Sequence, residues 1–271
     1  MIKFFKKIRQ RLLTENKFSK YLIYAVGEIV LVVFGILIAL SINNWNVKKT
    51  QQKEIKEYAI SLALDLEEDI EMTKTIMLHI KKINNRINKL SEYVNNNKIN
   101  DLTNIDMLCL TWIKSNRPYK WNRATLEEII SSGSLRYIND NNLKKKIVEY
   151  DAFTHHLDED FENDKAQSEN ATQLISYIVD INYPNIEELD KVLLDSNNPV
   201  ADVNFYTTDA YQKAKDYNLK LITDDISKVK VAVSGFIRLK SNLRIRTEKE
   251  LPDLINQAEE LIGILKETYN D

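Results

Sequence analysis

The densest group of ionisable side chains lies between residues 155 and 162, where the sequence reads His-His-Leu-Asp-Glu-Asp-Phe-Glu. In a helix, residues four apart share a face, so His155 would lie beside Glu159. By the same spacing, His156 would lie beside Asp160. An imidazole and a carboxylate placed in this way can bind a divalent metal, which makes these four residues candidate metal ligands. Neither face carries a second histidine, and a solvated helix face is the favoured interpretation. We therefore expect no metal ion and no other cofactor.

A second group could form a pocket for a small anion or a sugar, because serine and arginine donors follow two aromatic residues. Its members are Tyr119, Trp121, Ser131, Ser132 and Arg136. The favoured alternative is a helix that ends at Gly133, with the aromatic side chains in the core. Cys109 is the one cysteine, and its apolar surroundings in the sequence are typical of a packing residue. We predict that the protein is not an enzyme.

The elements that position these residues begin with an apolar run from Tyr21 to Ile42, in which Glu28 is the one charged residue. A helix of this length crosses a hydrocarbon core of about 30 Å. The first 20 residues, a basic amphipathic segment, contain seven Lys or Arg and one Glu. The positive-inside rule then predicts that residues 1–20 are cytoplasmic, that 21–42 cross the membrane and that 43–271 lie beyond it. A cleaved signal peptide is the alternative, but the apolar run is longer than is usual for one.

One face of the predicted membrane helix combines small residues with a carboxylate. Its residues follow steps of three or four: Glu28, Leu31, Gly35, Ala39 and Ile42. Small residues let a second helix approach closely, and a carboxylate that faces lipid is costly. We therefore predict that this face contacts another copy of the chain or another membrane protein. The alternative is that Glu28 reaches the lipid headgroups. Trp45 is the predicted anchor at the boundary between water and lipid.

The rest of the chain is predicted to be helical, because Gly and Pro total only 9 of 271 residues. Apolar residues at heptad spacing predict long helices over about 43–95 and 141–182, and further helices over about 208–269. Residues 228–246 also alternate as a strand would, but helix is favoured. The predicted fold is all-α, with the membrane helix continuing into a bundle or a coiled coil. From Lys48 onward there are 31 Lys or Arg and 38 Asp or Glu, which argues against nucleic acid as a partner.

Four stretches of the sequence resemble a known family. They are Met1–Leu13, Gly27–Val33, Gly35–Asn46 and Leu126–Arg136. The family is an uncharacterised one of single-pass envelope proteins from Bacteroidota. Its central motif usually has a longer residue where this chain has Ser134. The resemblance implies a bacterial inner-membrane location with a cytoplasmic N-terminus and a periplasmic helical domain, and it implies no activity.

These features together predict a membrane-anchored periplasmic helical protein that acts as a scaffold, bound to lipid and to itself or another membrane protein. One alternative is a ligand-sensing periplasmic domain that signals through a membrane partner, since about 20 cytoplasmic residues are too few for an output domain. The third interpretation is a metal-dependent enzyme built on His155 and His156.

Overall fold

The structure is a computed structural model that describes residues 18–111, 119–180, 205–216 and 219–269. Within these ranges the chain is all-α and has no strand, as predicted, and a single isolated β-bridge joins Thr103 and Lys220. The helices in these ranges are α1 (Phe18–Asn96), α2 (Asn104–Thr111), α3 (Ala124–Ser131), α4 (Asn141–Ile175), α5 (Asp209–Asp216), α6 (Ile226–Ile245) and α7 (Leu251–Tyr269). Most of the predicted basic segment, residues 1–17, lies outside the described residues.

The chain divides into two compact units, Met1–Glu57 and Tyr58–Asp271. In the first unit the large apolar side chains between Leu22 and Ile42 are exposed, with Leu31 at 66% and Ile42 at 56% of their full accessibility. Helix α1 is the one helix among the described residues that is long and apolar enough to cross a membrane.

The core of the second unit follows the heptad stripes that the sequence predicts. In α4 the residues on the predicted stripe are all buried: Leu143, Ile147, Tyr150, Thr154, Leu157, Phe161, Asp164, Ser168, Ala171 and Ile175. On the part of α1 that belongs to this unit, the predicted stripe is buried at Ala59, Leu62, Leu66, Ile80, Ile83, Ile87, Leu90 and Val94. Ile76 is only half-buried. Helix α4 packs against α6 and α7, which makes it the central helix of the described unit.

Helix α4 ends at Ile175 rather than near residue 182, where the sequence analysis ends it. The chain turns here because its backbone groups find partners on other elements. Ile178 O accepts a hydrogen bond from Ile222 N at 3.0 Å. The backbone of Asp180 pairs with the side chain of buried Asn104, at 2.7 Å through its N–H and 2.8 Å through its carbonyl. The sequence next to Ile175 contains no proline that would mark this helix end, and it does not reveal these distant partners.

Residues 228–246, whose sequence fits both a strand and a helix, are helical and lie mainly in α6, as the sequence analysis favours. Asp225 caps its first turn by accepting a hydrogen bond from Ser227 N at 2.8 Å. Val229, Val233 and Phe236 are buried, whereas Val231, which a strand would place beside Val229 and Val233 on the same face, is 62% exposed. The period of the segment is therefore helical.

A π-helical turn, Arg246–Glu250, joins α6 to α7. The sequence Thr247-Glu-Lys-Glu250 has the spacing of a capping box, but the box does not form. Thr247 Oγ1 instead donates back to Leu243 O and Arg244 O, both at 3.2 Å. The helical backbone continues through this turn, so no free N–H groups need a cap.

Candidate functional site

The predicted membrane-contact face lies on the exposed apolar part of α1. Leu31, Ala39 and Ile42 are exposed, and Glu28 is half-buried. A Cβ added at Gly35 would meet nothing within 4 Å, so this face has room for another helix. Trp45 is 63% exposed. Lys49 Nζ lies 5.4 Å from the centre of the Trp45 ring, an arrangement that suits an interfacial anchor.

The second unit contains two clusters of polar side chains inside its helical core. The first cluster centres on Asp69, which is 2% exposed in the middle of the α1 stripe. Tyr150 of α4 donates a hydrogen bond to Asp69 Oδ2 at 2.8 Å, and Asn122 N donates to Oδ1 at 2.8 Å. Burial raises the pKa of Asp69 above its ordinary value, and both hydrogen bonds oppose that rise. This cluster ties the loop before α3 to α1 and α4.

Arg123 extends this first cluster along α4. Its Nη2 donates to Thr154 Oγ1 at 2.9 Å and to Asp158 Oδ2 at 2.9 Å. Its Nη1 lies 3.3 Å from His155 Nδ1. The loop that carries Arg123 is therefore fixed on α4 by a guanidinium group with several acceptors, an arrangement that favours one loop position.

The second cluster forms where the π turn meets α4. Arg246, with a side chain 8% exposed, lies between three carboxylates. Its Nη2 is 2.9 Å from Asp160 Oδ1, and its Nε is 3.1 Å from Asp164 Oδ2. Its Nη1 pairs with Glu250 Oε2. We call Asp160, Asp164, Arg246 and Glu250 the Arg246 cluster.

The Arg246 cluster holds more negative than positive charge in a largely buried position. Burial raises the pKa of Asp164, and the neighbouring Arg246 guanidinium opposes that rise. Asn242 Nδ2 also donates to Asp164 Oδ1 at 3.2 Å. His156 stands at the edge of the cluster, with Nε2 3.2 Å from Asp160 Oδ2 and 4.0 Å from Glu250 Oε1. Arg246 therefore lies among the three carboxylates, and the His156 imidazole lies at the edge of the cluster.

The structure separates the four candidate metal ligands of the sequence analysis. His156 and Asp160 do lie side by side, one turn apart on α4. Glu159 is exposed. His155 instead has its Nε2 3.7 Å from Asp151 Oδ1, on the side of α4 that faces Arg123. The two adjacent histidines thus belong to different polar clusters.

The residues of the predicted anion or sugar pocket also divide into two groups. Tyr119 stacks on Trp121 with ring centres 4.9 Å apart, and Trp121 Nε1 donates to Asp158 of α4 at 3.0 Å. Ser131 and Ser132 donate to carbonyl oxygens of the last turn of α3, and Arg136 donates to Tyr137 OH at 2.6 Å. Within the described ranges no hydrogen bond or ring contact joins the two groups.

The turn that separates these groups fits the sequence. Gly133 has φ of 71°, a left-handed value, just after the end of α3, as the favoured alternative predicts. Cys109 is 2% exposed, which confirms that it is a packing residue, and burial raises the pKa of its thiol to about 12. Such a thiol has little thiolate at neutral pH.

Sequence reasoning missed Asp69, Arg246 and Glu250. A signal was present for two of them. Asp69 continues the heptad steps of α1 between Leu66 and Thr73, and Arg246 continues those of α6 after Leu243. A charged residue on a buried stripe requires a partner, which these steps do not identify. Glu250 reaches the cluster only through the π turn. This turn contains one residue more than an α-helical turn, which a heptad pattern does not predict.

Comparison with known protein families gives one result. A family model matches residues 28–171, which is more than half of the chain. The chain belongs to the family of unknown function DUF6090. No curated protein and no solved structure matches the chain. The resemblance to an uncharacterised family is thereby confirmed.

The DUF6090 match covers several features described above. It begins at Glu28 in the exposed apolar part of α1 and ends at Ala171 in α4. It includes His156 and Asp160, whereas Arg246 and Glu250 lie beyond its end. The family match therefore covers one half of the Arg246 cluster.

Proposed function

We propose that this protein is a single-pass inner-membrane protein of a bacterium, of the Bacteroidota type, whose helical domain lies in the periplasm. In this proposal it acts as a scaffold that self-associates or joins another membrane protein. The observation that carries it is the exposed apolar face of α1 between residues 22 and 42. An 18-residue stretch of this helix has a mean hydropathy of 2.6 and is 0% buried within the chain. Such a surface needs lipid or another apolar surface to cover it.

The arrangement of small residues supports helix association over simple anchoring. Gly35 and Ala39 lie one turn apart, and Gly35 has free space around its Cα. In lipid, helices associate mainly by close packing and by hydrogen bonds, because lipid already satisfies apolar surface. A glycine and an alanine four residues apart on one face offer that close packing.

The basic residues before the apolar run support the orientation. Residues 1–20 contain seven Lys or Arg, and no Lys or Arg follows until Lys48. Positive charge is retained on the cytoplasmic side during insertion. The helical domain would then lie on the opposite side, where its net negative charge from Lys48 onward is compatible with a protein partner.

The test is co-purification of tagged full-length protein from native membranes, with partner identification and mass determination in detergent. We expect a stoichiometric membrane partner or a defined homo-oligomer. Gly35→Leu and Glu28→Leu should reduce that association at least about tenfold, because both change the contact face. Leu37→Phe adds bulk on the opposite face of the helix and is the matched control. A monomer without partners, or equal effects of Gly35→Leu and Leu37→Phe, would contradict the proposal.

A further inference from the structure

The border of the Arg246 cluster brings three ligand-type atoms together from two elements. They come from His156 and Asp160 of α4 and from Glu250 of the π turn, and they all lie within 4.8 Å of one another. His156 Nε2 is 3.2 Å from Asp160 Oδ2 and 4.0 Å from Glu250 Oε1. The four-residue spacing on α4 places only the first two side by side, so the fold supplies the third.

The two carboxylates use different oxygens for different neighbours. Asp160 Oδ1 and Glu250 Oε2 are held by the Arg246 guanidinium. Their other oxygens, Asp160 Oδ2 and Glu250 Oε1, face His156. Asp160 Oδ2 is buried and accepts no hydrogen bond of good geometry, although His156 Nε2 lies 3.2 Å away. A buried carboxylate oxygen without a donor is costly, and a cation at this point removes that cost.

The distances and the charge both suit a small divalent cation. In a tetrahedral shell with bonds of about 2.0–2.1 Å, neighbouring ligand atoms lie about 3.4 Å apart. The 3.2 Å and 4.0 Å separations bracket that value, and all three ligand atoms lie within 4.8 Å of one another. With a neutral imidazole, the single Arg246 faces three carboxylates, so two positive charges balance the site. Nitrogen and oxygen ligands together favour a first-row ion such as Zn²⁺ over Mg²⁺.

We propose that His156, Asp160 and Glu250 bind one Zn²⁺-type ion, with Arg246 as the group that orients both carboxylates. Metal ligands are commonly held by such outer hydrogen bonds, which fix their direction before the ion binds. The side chain of His156 is 51% exposed, which leaves an entry path and room for a water ligand. The bound ion links α4 to the π turn between α6 and α7. This inference does not depend on the proposed membrane association.

The experiment uses the full-length chain in detergent, treated with a chelator and then dialysed. Titration with Zn²⁺ alone, followed by calorimetry and by metal analysis, should give one ion per chain, and the melting temperature should rise with Zn²⁺. His156→Gln should weaken binding at least about tenfold. Glu250→Gln should also weaken it, while Mg²⁺ should compete poorly.

His155→Gln is the matched control, because His155 is the next residue, is also exposed and pairs with Asp151 instead. It should bind Zn²⁺ as the native chain does. The inference is overturned if the native chain binds no stoichiometric Zn²⁺, or if His155→Gln and His156→Gln lose the same affinity. Since both histidines are on the surface, circular dichroism should confirm that each variant is folded.

Discussion

At the scale of single residues, the bond from Tyr150 to Asp69 joins α4 to α1 inside the core. Tyr150→Phe keeps the ring but removes the donor to Asp69 Oδ2. The free energy of unfolding should fall by about 1–3 kcal/mol, because one oxygen of a buried carboxylate loses its hydrogen bond. Chemical denaturation of the full-length protein in detergent measures this. Tyr177→Phe, at a residue 66% exposed, should change stability by less than about 0.5 kcal/mol. Equal losses in the two variants would rule out the buried bond.

The loss caused by Tyr150→Phe should depend on pH. Burial raises the pKa of Asp69, and the Tyr150 hydroxyl opposes that rise by stabilising the charged form. With a raised pKa, the contribution of Asp69 to stability is present below the unfolded-state pKa and is lost as pH rises through the folded-state value. Without the hydroxyl the folded-state pKa rises further. The difference between native and variant stability should therefore be largest near neutral pH and shrink toward pH ~4. Denaturation curves at several pH values check it, and a difference that grows toward low pH would contradict it.

Arg246 is the residue on which the second cluster depends. Arg246→Gln leaves Asp160, Asp164 and Glu250 without their cation, and we expect a loss of about 3–5 kcal/mol in the free energy of unfolding. The control is Arg244→Gln, two residues earlier in the last turn of α6. The Arg244 side chain is 65% exposed and lies 3.6 Å from Glu248, so its removal should cost less than about 0.5 kcal/mol. The same denaturation assay compares them, and similar losses would mean that the buried ion pairs do not stabilise the fold.

At the scale of elements, two glycines inside helices differ in the space around them. We therefore expect the same substitution to change stability in opposite directions at the two positions. A Cβ at Gly235 of α6 would lie 3.0 Å from Ala171 Cβ and 3.2 Å from Ala171 Cα on α4. Gly235→Leu should therefore force the helices apart and lower the free energy of unfolding by about 1–3 kcal/mol. Gly263 of α7 has nothing within 4 Å of its Cβ position. Gly263→Leu should raise stability by about 0.5–1 kcal/mol through helix propensity. Thermal unfolding gives both signs, and two changes of the same sign would contradict the packing of α6 on α4.

The heptad pattern predicted which face of each helix is buried better than it predicted which residues contact that face. It identified every buried position of α4 on the stripe to Ile175, because the 3.5-residue period records which face leaves water. It placed the end of α4 too late, because that end depends on bonds from Asn104 and Ile222, far away in sequence. It identified Asp164 as a polar stripe position but not its partner, Arg246. Local periodicity fixes burial, whereas pairing between helices depends on tertiary contacts.

At the scale of the whole molecule, the proposed topology is the feature with the largest consequence for function. The distribution of Lys and Arg predicts that residues 1–20 and the helical domain lie on opposite sides of the membrane. Labelling of single cysteines can test this prediction. The native Cys109 is 2% exposed, and burial raises the pKa of its thiol to about 12, so it should give little background with a maleimide reagent.

Two variants then report the two sides of the membrane. Asn170→Cys, at an exposed position of α4, should react with a membrane-impermeant maleimide in cells whose outer membrane has been permeabilised. Gln10→Cys, in the basic segment, should react only after the inner membrane is also disrupted. The unmodified chain controls for Cys109. If Gln10→Cys reacts first, the orientation is reversed, and the helical domain would meet cytoplasmic partners. If both react together in a soluble fraction, the exposed face of α1 does not anchor the chain and must be covered by protein.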